Sequence, residues 1–325
     1  MKVLFSVGKA YYPIHESFVQ RIKDLGVDVT VLMVDENKSK ELIIENIKNA
    51  TIYITAVALA DREVIDAAPE LKYIIKTGTG VDNIDVAYAT QKGIIVSNAA
   101  GQNANAVAEL AIGLMISLSR TIPQLDQKTK DGKWVQSTGF ELKDKTLGII
   151  GFGSIGQIIA HYAKVFDMKM IAYGNHRDDA AANKLGVNFV EFDQLLSDSD
   201  YIVVGTSLKK STYHLIDKQA LSKMKESAFL INISRGAVVD GKALFEALEQ
   251  RKISGAALDV FETEPPTEEL HHLDNLIATP HVGGTTLESA NRIAEVTVEN
   301  IRRFVHHEPL QNVLNQKELE AIQKI

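Results

Sequence analysis

The sequence predicts an α/β protein with two parallel sheets. Short Val- and Ile-rich runs alternate with segments whose apolar residues recur at helical spacing, nearly from end to end. The strand series also stops near residue 98 and begins again at residue 146, which separates one sheet from a second. The length of 325 residues agrees, since domains usually hold about 150 residues and each of two could bury its own core.

In the first third the strands are read over VLFSV, VDVTVLMV, TIYIT, KYIIKT and GIIVSN, the last starting at Gly93. HESFVQRIKDLG and DREVIDAAPELK lie between them and read as helices. An amphipathic stretch, NANAVAELAIGLMISLSR (103–120), and a polar stretch with the only tryptophan, KTKDGKWVQSTGF (128–140), are together read as a connector. The second series runs TLGIIG, MKMIAY, VNFV, YIVVG, AFLINI, SGAALDV and NLIATP. LESANRIAEVTVENIRRFVHH (287–307) reads as one long helix beyond the last strand, free to return to the first domain.

Composition narrows the function classes. Hydrophobic residues at 45% and charged residues at 24% describe an ordinary globular chain. Net charge is −7, from 35 Lys and Arg against 42 Asp and Glu, which argues against nucleic acid as a partner. With no cysteine, disulfides, thiol nucleophiles, Cys-ligated zinc and iron–sulfur clusters are excluded. MKVLFSVGK is too short an apolar run for a signal peptide, and no run reaches the ~18 apolar residues of a membrane span. A soluble, cytoplasmic protein without a membrane partner is expected.

Two constellations carry chemistry. In KTLGIIGFGSIGQIIAHYA a strand runs into GFGSIG and then into a helix. Gly151 permits the tight turn, Gly153 lets backbone amides approach a pyrophosphate, and Gly156 permits close helix–strand packing. Ser154 and Ile155 open the helix, whose N-terminus faces negative charge. Such a turn can be purely structural; the strand before it and the helix after it favour a bound dinucleotide. The second constellation is Arg235 in INISRGAVVD, Glu264 in LDVFETEPP and His281 in TPHVGG, each following a strand. Singly they read as a surface ion pair, a loop carboxylate and a satisfied histidine.

Together they suit reduction of a 2-oxo acid. Arg is always charged and fork-shaped, so it can hold the carboxylate and polarise the adjacent carbonyl. The alkoxide that develops needs a proton, and histidine is the side chain that titrates near neutrality. A carboxylate such as Glu264 favours the imidazolium form.

The segments TGTGVDNIDVAYATQKG, VAELAIGLMISLSR, GKW, KTLGIIGFGSIG, INISRGAVVDGKAL, ALDVFETEP and TPHVGG resemble, in order, the D-isomer-specific 2-hydroxyacid dehydrogenase family. The phosphoglycerate dehydrogenase and hydroxypyruvate/glyoxylate reductase branches look closest. The resemblance implies a doubly wound Rossmann cofactor domain (99–292) inserted into a flavodoxin-like substrate domain (1–98 and 293–325), and a homodimer. It places the catalytic residues at Arg235, Glu264 and His281, and the substrate-carboxylate amides at Thr79 and Gly80 beside Arg235. It places the nicotinamide-carboxamide aspartate at Asp259, with further cofactor contacts at Thr206, Ile233, Gly283 and Gly284. Substrate held between the two domains would make 99–101 and 285–292 hinges for a closing motion that expels water.

Three departures refine the expectation. Many relatives place an Asp at the end of the second Rossmann strand to grip the ribose; here Gly174 stands there, followed by Asn175, His176 and Arg177. These donors, with no acid to repel a 2′-phosphate, point to NADP in preference to NAD, although Asp178 and Asp179 follow directly and could pair with Arg177. Where relatives carry His-x-Pro-Leu, this chain reads Gly205, Thr206, Ser207, Leu208. Thr55 stands where enzymes acting on 3-phosphoglycerate often have Arg, and no regulatory domain is expected beyond Ile325. The expected activity is an NAD(P)-dependent reductase of a small 2-oxo acid such as glyoxylate or hydroxypyruvate, with no metal. Phosphoglycerate dehydrogenase, a formate- or phosphite-oxidising enzyme, and a non-catalytic NAD(P)-sensing corepressor are the alternatives.

Overall fold

The structure, a computed structural model, describes residues 1–9, 12–34 and 39–322. In chain order its elements are β1 (Lys2–Gly8), α1 (Tyr12–Lys23), β2 (Asp28–Val34), α2 (Ser39–Ile47), β3 (Ile52–Thr55), α3 (Arg62–Asp66), β4 (Tyr73–Lys76), α4 (Val86–Gln91) and β5 (Ile95–Asn98). There follow α5 (Ala104–Arg120), α6 (Ile122–Lys130), β6 (Thr146–Ile150), α7 (Ser154–Val165), β7 (Lys169–Tyr173), α8 (Asp179–Leu185), β8 (Val187–Phe189), α9 (Phe192–Asp198) and β9 (Tyr201–Val204). The chain ends through α10 (Lys218–Lys223), β10 (Phe229–Asn232), α11 (Gly241–Glu249), β11 (Gly255–Leu258), β12 (Leu276–Ala278), α12 (Leu287–Val305) and α13 (Gln316–Ile322).

Two compact units result, Met1–Asn103 with Thr285–Ile325, and Ala104–Gly284. The sequence placed the crossings at 98/99 and 292/293; in the structure they fall at 103/104 and 284/285. Local bonds explain the difference. Residues 99–103 are tied to the first unit, because Ala99 N donates to Gly78 O and Thr79 Oγ1 donates to Asn103 Oδ1. Arg292 Nε donates to Gln102 O, so the start of α12 belongs there too. Residues 10, 11, 35–38 and 323–325, included in the sequence-based assignment of the substrate domain, lie outside the described residues.

In the first unit five parallel strands lie in the order β2-β1-β3-β4-β5. Successive side chains of a strand point to opposite faces, and the cores sort accordingly. Leu4, Tyr53, Ile74 and Val96 face one core with α2 and α3, while Val3, Phe5, Ile52, Ile54, Tyr73 and Ile75 face the other with α1 and α12. The second unit is a seven-stranded parallel sheet, β12-β11-β10-β9-β6-β7-β8. Leu147, Ile149, Val203 and Ile231 pack under α5 and α7; Ile150, Ile202, Val204 and Leu230 pack under α9, α10 and α11. Among the described residues no single helix is long and apolar enough to cross a membrane.

Three local readings change. The segment 61–72 forms helix only over Arg62–Asp66, because Pro69 lacks an N–H and disfavours helical geometry in the residue before it. The stretch 103–120 is a core helix of the second unit, with Val107, Ala108, Ala111, Met115 and Leu118 buried. The polar segment after it includes α6, none of whose residues is buried, and an irregular run in which Trp134 is 87% exposed.

A strap from the C-terminal region closes the β5 edge. Leu314 N donates to Val96 O, and the buried Asn315 accepts from Val96 N and donates to Thr90 Oγ1 and Ile94 O at 2.8 to 3.0 Å. Asn315→Ala would leave buried backbone groups without partners and is expected to cost about 1–3 kcal/mol. Urea unfolding measures this, and an unchanged midpoint would show that the strap does not hold the edge.

Candidate active site

The strand order of the second sheet reverses between β6 and β9, whose connections leave to opposite sides, and ligands of such folds bind outside the carboxyl ends at that point. Gly151 follows β6 at φ +96°, in the left-handed region, and a Cβ there would lie 2.8 Å from Thr206 N and 2.9 Å from Gly205 C. Only glycine lets the two strand ends meet so closely. Gly153 caps α7 and is exposed, with open space where a Cβ would project, while Gly156 packs against Gly151 O. Ser154 is exposed and Ile155 half-buried. A helix N-terminus with accessible amides at the switch point fits a dinucleotide pyrophosphate.

At the far ends of β10, β11 and β12 stand the three candidate reactive residues. Asn232 fixes the turn after β10, accepting from Ser234 N and Oγ and donating to Arg235 O. Arg235 is half-buried and donates from Nη1 to Ser234 O at 2.7 Å. Glu264 accepts from Phe261 N at 3.1 Å with one oxygen and from His281 Nδ1 at 2.8 Å with the other. With Nδ1 donating, Nε2 is the ring nitrogen left to exchange a proton. His281 has a left-handed backbone, φ +52°, and its side chain is 44% exposed, so a small molecule can reach it.

Asp259 makes that backbone. It is 2% exposed, and its oxygens accept from Thr279 Oγ1, Val282 N and Gly283 N at 2.7, 2.9 and 2.8 Å. Its carbonyl accepts from His281 N at 2.8 Å. The sequence singled out Asp259 as a cofactor contact; the structure adds that it wraps the 279–283 turn about itself. This role carried no signal in spacing.

The model of the NAD-binding domain of D-isomer specific 2-hydroxyacid dehydrogenases matches residues 112–283. The chain is 40% identical over 291 residues to the glyoxylate reductase of Thermococcus litoralis, covering 86% of this chain and 88% of that one. It is 39% identical over 312 residues to the D-3-phosphoglycerate dehydrogenase of Archaeoglobus fulgidus, covering 95% of this chain but spanning only 59% of that enzyme. A 43% match over 245 residues covers 74% of this chain and 79% of the Thermotoga maritima hydroxypyruvate reductase.

This chain belongs to the D-isomer-specific 2-hydroxyacid dehydrogenase family.

Solved structures agree. An NAD-dependent formate dehydrogenase from Staphylococcus aureus, in complex with NAD, superposes with a TM-score of 0.86 at 30% identity, covering 97% of this chain and 99% of that one. An acyclic imino acid reductase in complex with NADPH and D-Arg gives 0.85 at 29%, covering 97% and 100%.

The remaining candidates in this dehydrogenase fall into three groups. Asn175, His176 and Arg177 are exposed just after β7. Arg177 Nη2 lies 3.5 Å from Glu191 Oε1 and its guanidinium 5.5 Å from the Phe189 ring. Asp178 is instead engaged by Ala181 N and Gln157 Nε2. Thr206 and Gly284 are half-buried, while Ile233 and Gly283 are buried beside the strand ends. Thr79 and Gly80 belong to the first unit, where Asn98 Nδ2 donates to Thr79 O at 2.7 Å. Thr55 is fully buried, with its hydroxyl donating to Ala58 O.

Burial alone would raise the Glu264 carboxyl, but the hydrogen bond and charge of His281, the Phe261 N–H and the Arg235 charge together hold it below the usual carboxylate range. A carboxyl lowered on folding stabilises the fold above its unfolded-state value, and that contribution disappears as pH falls through the folded-state value. Glu264→Gln is therefore expected to lower Tm near neutrality, with the gap closing below about pH 4. A gap of the same size at both pH values would show that the charge of Glu264 plays no part.

Proposed function

We propose that the chain reduces a small, unphosphorylated 2-oxo acid, glyoxylate or hydroxypyruvate being the type, with His281 as the acid. The observation that carries this reading is the Glu264–His281 hydrogen bond, set with Arg235 at the carboxyl edge of an NAD-binding sheet. Arg235 holds the substrate carboxylate and draws electron density from the neighbouring carbonyl. When bound, the reduced nicotinamide supplies a hydride to the carbonyl carbon. His281 Nε2 gives the proton that turns the developing alkoxide into a hydroxyl, and Glu264 stabilises the ring while it carries that proton. In oxidation His281 accepts the proton.

Thr55 supports an unphosphorylated substrate. Its side chain is buried and its hydroxyl committed to Ala58 O, and nearby Lys76 is engaged with Ala56 O and Asn83 Oδ1. A second anionic group needs a partner once desolvated. A homodimer fits the exposed Ile122, Trp134, Val135 and Phe140, a run of large apolar side chains on α6 and the segment after it.

NADPH is the preferred reductant in this reading. A Cβ at Gly174 would meet only ordinary contacts at 3.8 to 3.9 Å, so space does not exclude an acid there, yet none is present to repel a 2′-phosphate. The Arg177–Glu191 pair is exposed and long, a kind of pair worth little, so the guanidinium can turn to a phosphate.

Three outcomes are expected. His281→Ala should lower turnover by about 10²- to 10⁴-fold with little change in cofactor affinity; a parental rate would refute the assignment. Hydroxypyruvate should have a higher kcat/KM than 3-phosphohydroxypyruvate, and the reverse order would overturn the substrate reading. Arg177→Ala should reduce kcat/KM for NADPH about tenfold while sparing NADH, the scale of a lost charge-assisted hydrogen bond. Better use of NADH by the parent enzyme would refute the cofactor choice.

A further inference from the structure

The Phe261–Pro265 stretch after β11 carries two glutamates, and they reach different histidines. Glu264 meets His281, whereas Glu262 Oε2 accepts from His214 Nε2 at 3.0 Å. The other oxygen of Glu262 accepts from the backbone N of Gly241, the first residue of α11, also at 3.0 Å. His214 is itself fixed by backbone. Its N donates to Ala237 O at 2.8 Å, within the turn that follows Arg235, and its left-handed φ of +49° is an unusual conformation for a side-chain-bearing residue. Its ring stacks on Tyr213 at 4.1 Å, and Asp240 Oδ2 lies 3.9 Å from Nδ1.

The same place joins the Arg235 turn to the Glu264 segment. Gly236 lies against the backbone of Phe261 and Glu262 so closely that a Cβ there would overlap the Phe261 carbonyl. A small cavity of about 20 Å³, lined by Gly236, Val239, Leu244, Phe261 and Glu262 among others, adjoins the segment. That volume is enough for one water. Two hydrogen bonds to one carboxylate, from the start of α11 and from His214, tie the segment to both.

We propose that Glu262 is a positioning residue. By gripping His214 and the start of α11 together, it holds Phe261–Glu264 where Glu264 meets His281 and the Arg235 turn keeps its place. The inference rests on the reading of Glu264 and His281 as the proton-donating pair.

The test compares Glu262→Ala, Glu262→Gln and His214→Ala on whichever of glyoxylate or hydroxypyruvate is reduced faster. Glu262→Ala should lower kcat about tenfold, the scale of one net hydrogen bond to a charged group. KM for the 2-oxo acid should stay within about twofold, as for an interaction that matters in the transition state. The alkaline limb of the kcat–pH profile should move to lower pH, because Glu264 is then held less firmly to the acid. Glu262→Gln keeps an acceptor for Gly241 N and a polar group for His214, so it should restore both kcat and the limb. A purely structural role would lower Tm and leave the limb in place. Folded Glu262→Ala with the parental kcat and pH profile overturns the proposal. Should that variant not fold, His214→Ala leaves the Gly241 bond intact and decides the matter by the same readouts. Failure of the underlying reading looks different, since His281→Ala would then keep the parental rate.

Discussion

The buried carboxylate of Asp259 is the point at which strand geometry becomes site geometry. A carboxylate removed from water is costly unless donors replace the lost hydration, and here three do, all from the short 279–283 turn. The turn is thereby tied to β11, and His281 is held in a left-handed conformation that is uncommon for a residue other than glycine. Because His281 N also bonds the Asp259 carbonyl, the residue at the end of one strand determines where the side chain beyond the next one stands.

From that anchor the electrostatics follow. The His281 bond and charge, the Phe261 N–H and the Arg235 charge outweigh the partial burial of Glu264, so its carboxyl stays ionised to lower pH than usual. The arrangement places a permanent cation, a carboxylate ionised at neutral pH and an imidazole beyond three consecutive strand ends, and in the proposed reading these serve reduction of a 2-oxo acid: one for the substrate carboxylate, one to stabilise the loaded acid, and the acid itself. Each is carried on a turn braced by hydrogen bonds within its own unit, so little reorganisation is needed when charge develops.

The sheets were legible in the sequence because their strands are buried on both faces and read as near-continuous apolar runs, as parallel strands do; TIYIT and YIVVG are examples. The glycine-rich turn was legible because its chemistry is local. Other features depend on contacts that spacing does not encode. The stretch 103–120 shows an amphipathic pattern, but only tertiary packing reveals it as a core helix, and α6 is short and mostly polar, with no buried residue. FETEP offers two glutamates with equal claim on a histidine. The family pattern indicates Glu264, while the separate attachment of Glu262 to His214, 48 residues away, appears only once the chain is folded.

The distribution of these parts explains why relatives with such different names share one scaffold. In the proposed reading, proton transfer is lodged at the ends of β10, β11 and β12, pyrophosphate binding at the end of β6, and the choice of ribose substituent at the end of β7. Since each strand end is followed by its own turn, residues in one turn can change with little consequence for the others. Gly174 replaces an acid at β7 without touching the Glu264–His281 bond, and Thr55 can replace a phosphate-binding cation in the first unit without altering the second sheet. Function in such a fold resides in separable turns on a common frame. The catalytic turns therefore identify the class of reaction, while the identity of cofactor and substrate has to be argued from Gly174, Arg177 and Thr55 one residue at a time.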